Sequence, residues 1–352
     1  MLRSSYPQSD PRIKIALVGA GGFIGSHLLE ALLERTAWQI CAVDLDFSRV
    51  EEFRKNSRCE FVQSDISESA TICKVVECPI VVNLAAICIP SRYMNEAGTV
   101  IESNFTKPAL LADACAKAGA WLIYFSTSEV YGKTSADALP LLEDGSPLIQ
   151  GPVQASRWSY SVAKQLSERY IASLENLTWT VLRPFNFIGP RMDFMPGIDG
   201  DGIPRVLANF SSALVLGTAM TLVNGGSARR TFTSVHDAVD FIFALFEHPE
   251  ASAKQAFNIG NVKNETSILG LSQQMQKIYS QIKNVPIESL PKPRNLSGVE
   301  YYGEGYEDSL RRIPSMEKAR RLLDFEAKIS LENALRESLE WFSAHYGKLL
   351  KK

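Results

Sequence analysis

The chain has 352 residues, 45% hydrophobic and 22% charged, an ordinary composition for a folded protein with room for one large α/β domain or two smaller ones. With 37 basic against 39 acidic residues, the formal net charge of -2 excludes a global bias toward nucleic acid or anionic membrane, so an anionic ligand would need a local cluster of Arg and Lys. No apolar run approaches the roughly 20 residues of a membrane span.

Residues 1–10 are polar, lack the apolar core of a signal peptide and read as a flexible N-terminus. The six Cys (41, 59, 73, 78, 88 and 115) show no metal-ligand spacing. They suit free thiols in a reducing cytoplasm, with no metal site.

Ile13 to Val18 is an apolar run of strand length. It meets Gly19-Ala20-Gly21-Gly22-Phe23-Ile24-Gly25, and a helical pattern follows through Leu33. A strand, a glycine loop and a helix bring backbone amides close to a pyrophosphate with no Cβ in the way. A second strand, Ile40 to Val43, ends in Asp44, where a carboxylate accepts from an adenosine ribose diol and repels a 2′-phosphate, favouring NAD over NADP. A third strand at Phe61-Val62 leads to Asp65-Ile66, placed to read an adenine.

The run Ile80-Val81-Val82-Asn83-Leu84-Ala85-Ala86 is continuously apolar, as strands buried on both faces of a parallel sheet are. A helix is expected from about Val100 to Lys117, then the strand Trp121 to Phe125 running into Ser126-Thr127-Ser128-Glu129-Val130-Tyr131-Gly132. Hydroxyls at the carboxyl end of a parallel strand lie where such sheets bind ligands.

In Trp158-Ser159-Tyr160-Ser161-Val162-Ala163-Lys164, a helix would set Tyr160 and Lys164 one turn apart on one face. An ammonium beside a phenol lowers the phenol's pKa and readies it as a proton acceptor. That spacing alone is common; its company gives it weight. Further on, Trp179 to Leu182 reads as a strand entering a loop with Arg183, Asn186 and Arg191. Arg205, Arg229 and Arg230 add cations suited to a diphosphate, and Met220 to Val223 reads as a strand before Asn224-Gly225-Gly226. Pro314 to Leu323 and Leu331 to Phe342 read as amphipathic helices that pack rather than bind.

The glycine loop, Asn83 to Ala86, Ser126 to Gly132 and Tyr160-x-x-x-Lys164, in this order, resemble the extended short-chain dehydrogenase/reductases acting on nucleotide sugars. The resemblance implies a Rossmann-type doubly wound parallel sheet with a smaller C-terminal substrate-binding lobe. The NAD-binding domain is expected over 11–182 plus about 231–258, and the nucleotide-sugar lobe over about 183–230 plus 259–352. Asn104 joins the cofactor set by the same resemblance, and a homodimer through helices at about 100–118 and 159–175 is implied.

Arg157-Trp158-Ser159-Tyr160, Arg183-Pro184-Phe185-Asn186, Gly189-Pro190-Arg191 and Tyr301 to Asp308 leading to Arg311-Arg312 resemble UDP-glucuronate decarboxylases of the polymyxin-resistance type. Met192 to Gly200 and Ile203 to Ala208 look closer still to the UDP-apiose/UDP-xylose synthases.

This implies NAD-dependent oxidation at C4 of a UDP-hexuronate and loss of carbon dioxide, followed by reduction to UDP-xylose or UDP-apiose. Tyr160 takes the C4 proton, Lys164 tunes it, Thr127 or Ser128 holds the C4 oxygen, and Glu129 and Arg312 face the carboxylate. Cys88, Tyr93, Asn186 and Tyr306 are further substrate contacts. The apiose-forming enzymes carry Cys where this chain has Ser128, which sets ring contraction apart from decarboxylation. A 4-epimerase or dehydratase of the same family is the alternative enzyme, and a non-catalytic NAD-binding subunit the alternative class.

Overall fold

Alternation along the strands explains the sheet. In β1 (Lys14–Val18), Ile15 and Leu17 face one way and Ala16 and Val18 the other, and all four are buried. The first pair joins one apolar layer, under α1 (Phe23–Arg35); the second joins another, under helices on the opposite face. Strands covered on both sides in this way must be paired along their length and lie inside a parallel sheet. A computed structural model describes residues 2–134, 138–304 and 307–350.

Chain order then runs β2 (Gln39–Asp44), β3 (Cys59–Gln63), α2 (Ser69–Val75), β4 (Ile80–Asn83), α3 (Pro90–Asn95), α4 (Ala97–Ile101), α5 (Lys107–Ala118), β5 (Trp121–Phe125), α6 (Ser159–Ser173) and β6 (Thr178–Pro184). With the strand Gln255–Ile259 these form a seven-stranded, wholly parallel sheet. Its order is Gln255–Ile259, β6, β5, β4, β1, β2, β3. The winding reverses between β1 and β4, and ligands bind in the crevice beyond strand ends at such a switch point.

Two expectations shift. The apolar run from Ile80 leaves the sheet at Asn83, so Leu84 to Ala86 form the crevice wall instead of more strand. The expected helix from Val100 is interrupted by a wide π turn over Glu102–Thr106, where Asn104 Nδ2 donates to Val100 O (2.9 Å) and Ile87 O (3.0 Å). A side chain inserted there competes with the regular helical ladder.

The start of the chain is held. Tyr6 is buried against the rings of Trp38 and Trp121, and Trp38 Nε1 donates to Pro7 O at 2.9 Å. Outside the large sheet lie the helix Val206–Leu216 and a three-stranded sheet of Glu265–Ser267, Arg229–Thr231 and Arg311–Arg312. Among the described residues no helix is long and apolar enough to cross a membrane.

Candidate active site

The crevice begins at Gly19, whose φ of +91° suits glycine and whose Cβ would lie 2.8 Å from Ala85 N, so the turn brings β1 directly against the end of β4. A Cβ on Gly25 would lie 2.0 Å from Gly19 O, which packs the loop onto its helix. Gly22, the N-cap of α1, is different. A Cβ there meets nothing nearer than Gly19 O at 3.3 Å, and no side chain caps the helix, so its first turn opens into the cleft.

Phe23, Ile24 and Gly25 line this end, while Asp44, Asp65 and Ile66 line a cavity of about 430 Å³ at the other. Leu84, Ala85 and Ala86 form the wall between the two. Asp44 accepts from Gly21 N at 2.8 Å and from Leu45 N at 2.7 Å, so it shapes the loop as well as facing the cavity. Open amides at a 13-residue helix and a carboxylate facing the far end fit a dinucleotide.

Beyond this cleft, β5 delivers Thr127 and a short turn (Ser128–Tyr131) delivers Glu129. Tyr160 lies buried on α6, its hydroxyl hydrogen-bonded to Thr127. Its ring stacks on Tyr93 with centroids 4.8 Å apart and planes within 4°. Ser128 is buried and lines neither cavity, so Thr127 is the hydroxyl the fold gives to the phenol.

Lys164 Nζ donates to Phe125 O at 2.8 Å and lies 4.7 Å from the Tyr124 ring centre. Burial pulls its pKa down to about 8. The phenol of Tyr160 stands well above its ordinary value, raised first by burial and then by Cys88 and Glu129. The lowering by Lys164 expected from the one-turn spacing is not what sets it: Lys164 Nζ is turned to Phe125 O, and the bond to Thr127 is the lowering influence.

Glu129 pairs with Arg157 at 2.7 Å, and the Arg157 guanidinium also lies over the rings of Tyr93 (5.8 Å) and Trp158 (5.4 Å). Glu129, Cys88, Tyr93, Asn186, Arg205, Arg230 and Arg312 border one cavity of about 330 Å³. In it Arg230 pairs with Asp308 at 2.7 Å. Arg312 is buried, its Nε has no hydrogen-bond partner, and burial with the nearby Arg230 lowers its pKa. Asn186 (φ +41°), Arg191 (φ +60°) and Asp193 (φ +53°) hold left-handed backbone in the adjoining loop, strain that tends to collect at functional sites.

Three expected contacts lie elsewhere. Arg183 is buried under the site, forked onto Glu168 (Nε 3.0 Å, Nη2 2.6 Å) and bonded to Tyr131 Oη at 2.9 Å. Arg191 pairs with Glu30 and bonds His27 Nδ1 at 2.8 Å. Both have fixed internal partners and border neither cavity. Asn104 supports the loop through Ile87 O and does not line the cleft. Tyr306 lies outside the described residues. Arg205 borders the cavity but is also forked onto Asp193, Nε to Oδ1 at 3.0 Å.

Sequence reasoning missed the role of Arg157. Its signal is its place three residues before Tyr160, which puts it beside the same helix start. It also missed Tyr301 and Asn209, whose side chains join at 3.0 Å on the far wall, and Asp308, which pairs with Arg230.

Residues 15–260 match the NAD dependent epimerase/dehydratase family. The chain belongs to that family. Its cofactor is NAD, and its fold is that of the extended short-chain dehydrogenase/reductases. It is 38% identical over 365 residues to UDP-D-apiose/UDP-D-xylose synthase 1 of Arabidopsis thaliana, an alignment covering 97% of this chain and 94% of that protein. To UDP-D-apiose/UDP-D-xylose synthase of Oryza sativa subsp. japonica it is 37% identical, over 97% of this chain and 92% of that one. The crystal structure of the PbgP3 protein from Burkholderia pseudomallei superposes with a TM-score of 0.83 at 28% identity, covering 96% of this chain and 98% of that one. UDP-glucuronic acid 4-epimerase from Bacillus cereus, at 23% identity and a TM-score of 0.78, shares the fold.

Proposed function

We propose that the chain is an NAD-dependent UDP-glucuronate decarboxylase that oxidises C4, releases carbon dioxide and reduces the 4-keto-pentose to UDP-xylose, or to UDP-apiose after ring contraction. One observation carries this beyond fold: buried Arg312, with an unpartnered Nε, borders the same cavity as Glu129, whose charge acts on Tyr160. A sugar carboxylate entering there supplies the missing acceptor. The two plant relatives named for apiose and xylose synthesis support the same substrate class.

The nicotinamide supplies a hydride acceptor, a positive charge and, once reduced, a hydride donor. The protein does the rest. Thr127 holds the Tyr160 hydroxyl against C4, and Tyr160, once deprotonated, takes the C4 hydroxyl proton. The β-keto acid so formed loses carbon dioxide as its electron pair passes to the ketone. Arg312 holds the carboxylate, while Glu129 disfavours its charge and handles the proton at C5. Arg157, paired with Glu129, keeps that carboxylate in place. Arg205 and Arg230 supply cations for the diphosphate end.

This reading includes a cytoplasmic homodimer. Six free thiols suit a reducing compartment. Exposed Ile101 and Leu110 on one helical segment, and Val162 and Leu166 on α6, offer an apolar face to a second copy. UDP-glucuronate labelled at C6 tests the function. A UDP-pentose lacking the label supports it, and UDP-galacturonate or a dehydrated hexose retaining the label moves the assignment to the epimerase or dehydratase alternative.

A further inference from the structure

The two cavities of the cofactor cleft share one charged side chain. Arg92, on α3, borders both the chamber of Asp44 and Asp65 and the chamber under the glycine loop. A dinucleotide spanning them has its pyrophosphate at the junction, because that group joins its two halves. The glycine loop itself offers only amides there, with no capping side chain and no charge in the first turn of α1.

The other cations at the cleft are committed to partners on distant segments: Lys107 to Asp65 (2.6 Å), and Arg205 and Arg49 to Asp193. Arg92 is forked onto Glu96, four residues on, through Nε at 3.0 Å and through Nη2, but both side chains are more than a third exposed. An exposed pair of this kind contributes little to stability and is easily exchanged.

We propose that Arg92 is a cofactor-binding residue that exchanges Glu96 for the pyrophosphate. A planar guanidinium fork matches phosphate oxygens, and a doubly charged pyrophosphate outcompetes one solvated carboxylate. The next residue, Tyr93, is the ring stacked on Tyr160. One short helix therefore carries both the cofactor contact and the ring that stacks on the phenol.

Calorimetric titration of the full-length, nucleotide-free chain with ADP-ribose and with adenosine tests this without turnover. Arg92→Met should weaken ADP-ribose about tenfold or more, the loss of a charged hydrogen bond, and leave adenosine unchanged. Arg92→Lys should recover part of that loss, and Glu96→Gln, which removes the competing carboxylate, should tighten ADP-ribose. ADP-ribose affinity within twofold of wild type in Arg92→Met overturns the assignment. So does an equal loss for adenosine, or a loss of ADP-ribose affinity in Glu96→Gln. Thermal melting of each variant checks folding; an exposed site predicts no change.

Discussion

Tyr93 lies flat against Tyr160, ring centres 4.8 Å apart and planes within 4°, so the Tyr160 phenol is braced by a ring from a different segment. A stacked aromatic pair contributes about 0.5–1.5 kcal/mol beyond the area it buries. Tyr93→Phe keeps the stack and should leave kcat within about threefold. Tyr93→Ala removes it and should lower kcat about tenfold, as the Tyr160 hydroxyl drifts from Thr127. Tyr160→Phe should lose about 10²–10⁴-fold in kcat while binding UDP-glucuronate, measured by titration, with little change. Equal loss in Tyr93→Phe and Tyr93→Ala would show that the Tyr93 hydroxyl matters instead.

Burial holds the Tyr160 phenol above its ordinary pKa, with Cys88 and Glu129 adding to the effect. A positive charge at the nicotinamide position favours the phenolate and must lower it. Ultraviolet difference titration should therefore show a phenolate that appears at lower pH with NAD+ bound than without, and no such step in Tyr160→Phe. An unchanged titration would leave the phenol without a route to its active form.

The Glu129–Arg157 pair couples two chemical jobs. Removing one partner leaves a largely buried charge uncompensated, which costs about 3–5 kcal/mol when the pair is fully buried. Arg157→Met should lower thermal stability and raise KM, because an unpaired Glu129 repels the arriving carboxylate. Glu129→Gln should lower kcat more than it changes KM. The double variant should melt higher than Arg157→Met alone, and strict additivity of the two changes would deny the coupling.

Arg183 and Arg191 show what the sequence leaves out. Their motif suits substrate binding, yet Glu168 and Glu30, which claim them, lie 15 and 161 residues away in the chain. Pairing of that kind is fixed by packing. Arg183→Met should accordingly act on folding: loss of about 3–5 kcal/mol of stability, with KM nearly unchanged in whatever protein folds. A raised KM in a protein that melts normally would return Arg183 to the substrate site.

Strands, glycine loop and the Tyr160–Lys164 spacing were legible because alternation and short-range geometry are written locally. The alternating burial of β1, with Ile15 and Leu17 facing one layer and Ala16 and Val18 the other, is a case where the sequence suffices. The π turn around Asn104 depends on Ile87 O arriving from another loop, and the spending of Lys164 Nζ on Phe125 O depends on how α6 meets β5. No local pattern encodes either.

Glu265 ties the lobe sheet together, accepting from Arg229 Nε at 2.7 Å and from Arg311 Nε at 2.8 Å. The Arg311 and Arg229 bonds hold its carboxyl down at about 2. Because the folded pKa lies below the unfolded one, near 4.5, the stabilisation is full above about pH 4.5 and lost as pH falls toward 2. Glu265→Gln should melt about 2 °C lower at pH 7, a modest effect for a partly solvated pair, with the difference shrinking below pH 4.5. A gap that widens on acidification would reverse the assignment.

Anaerobic incubation of the purified chain with UDP-glucuronate and NAD+, trapping carbon dioxide and following absorbance from NADH, tests the decarboxylation itself. One carbon dioxide per UDP-pentose is expected, with little net NADH if the keto-pentose is reduced, and neither product from Tyr160→Phe. An NAD-loaded chain that consumes UDP-glucuronate without releasing carbon dioxide, or does not consume it at all, contradicts it.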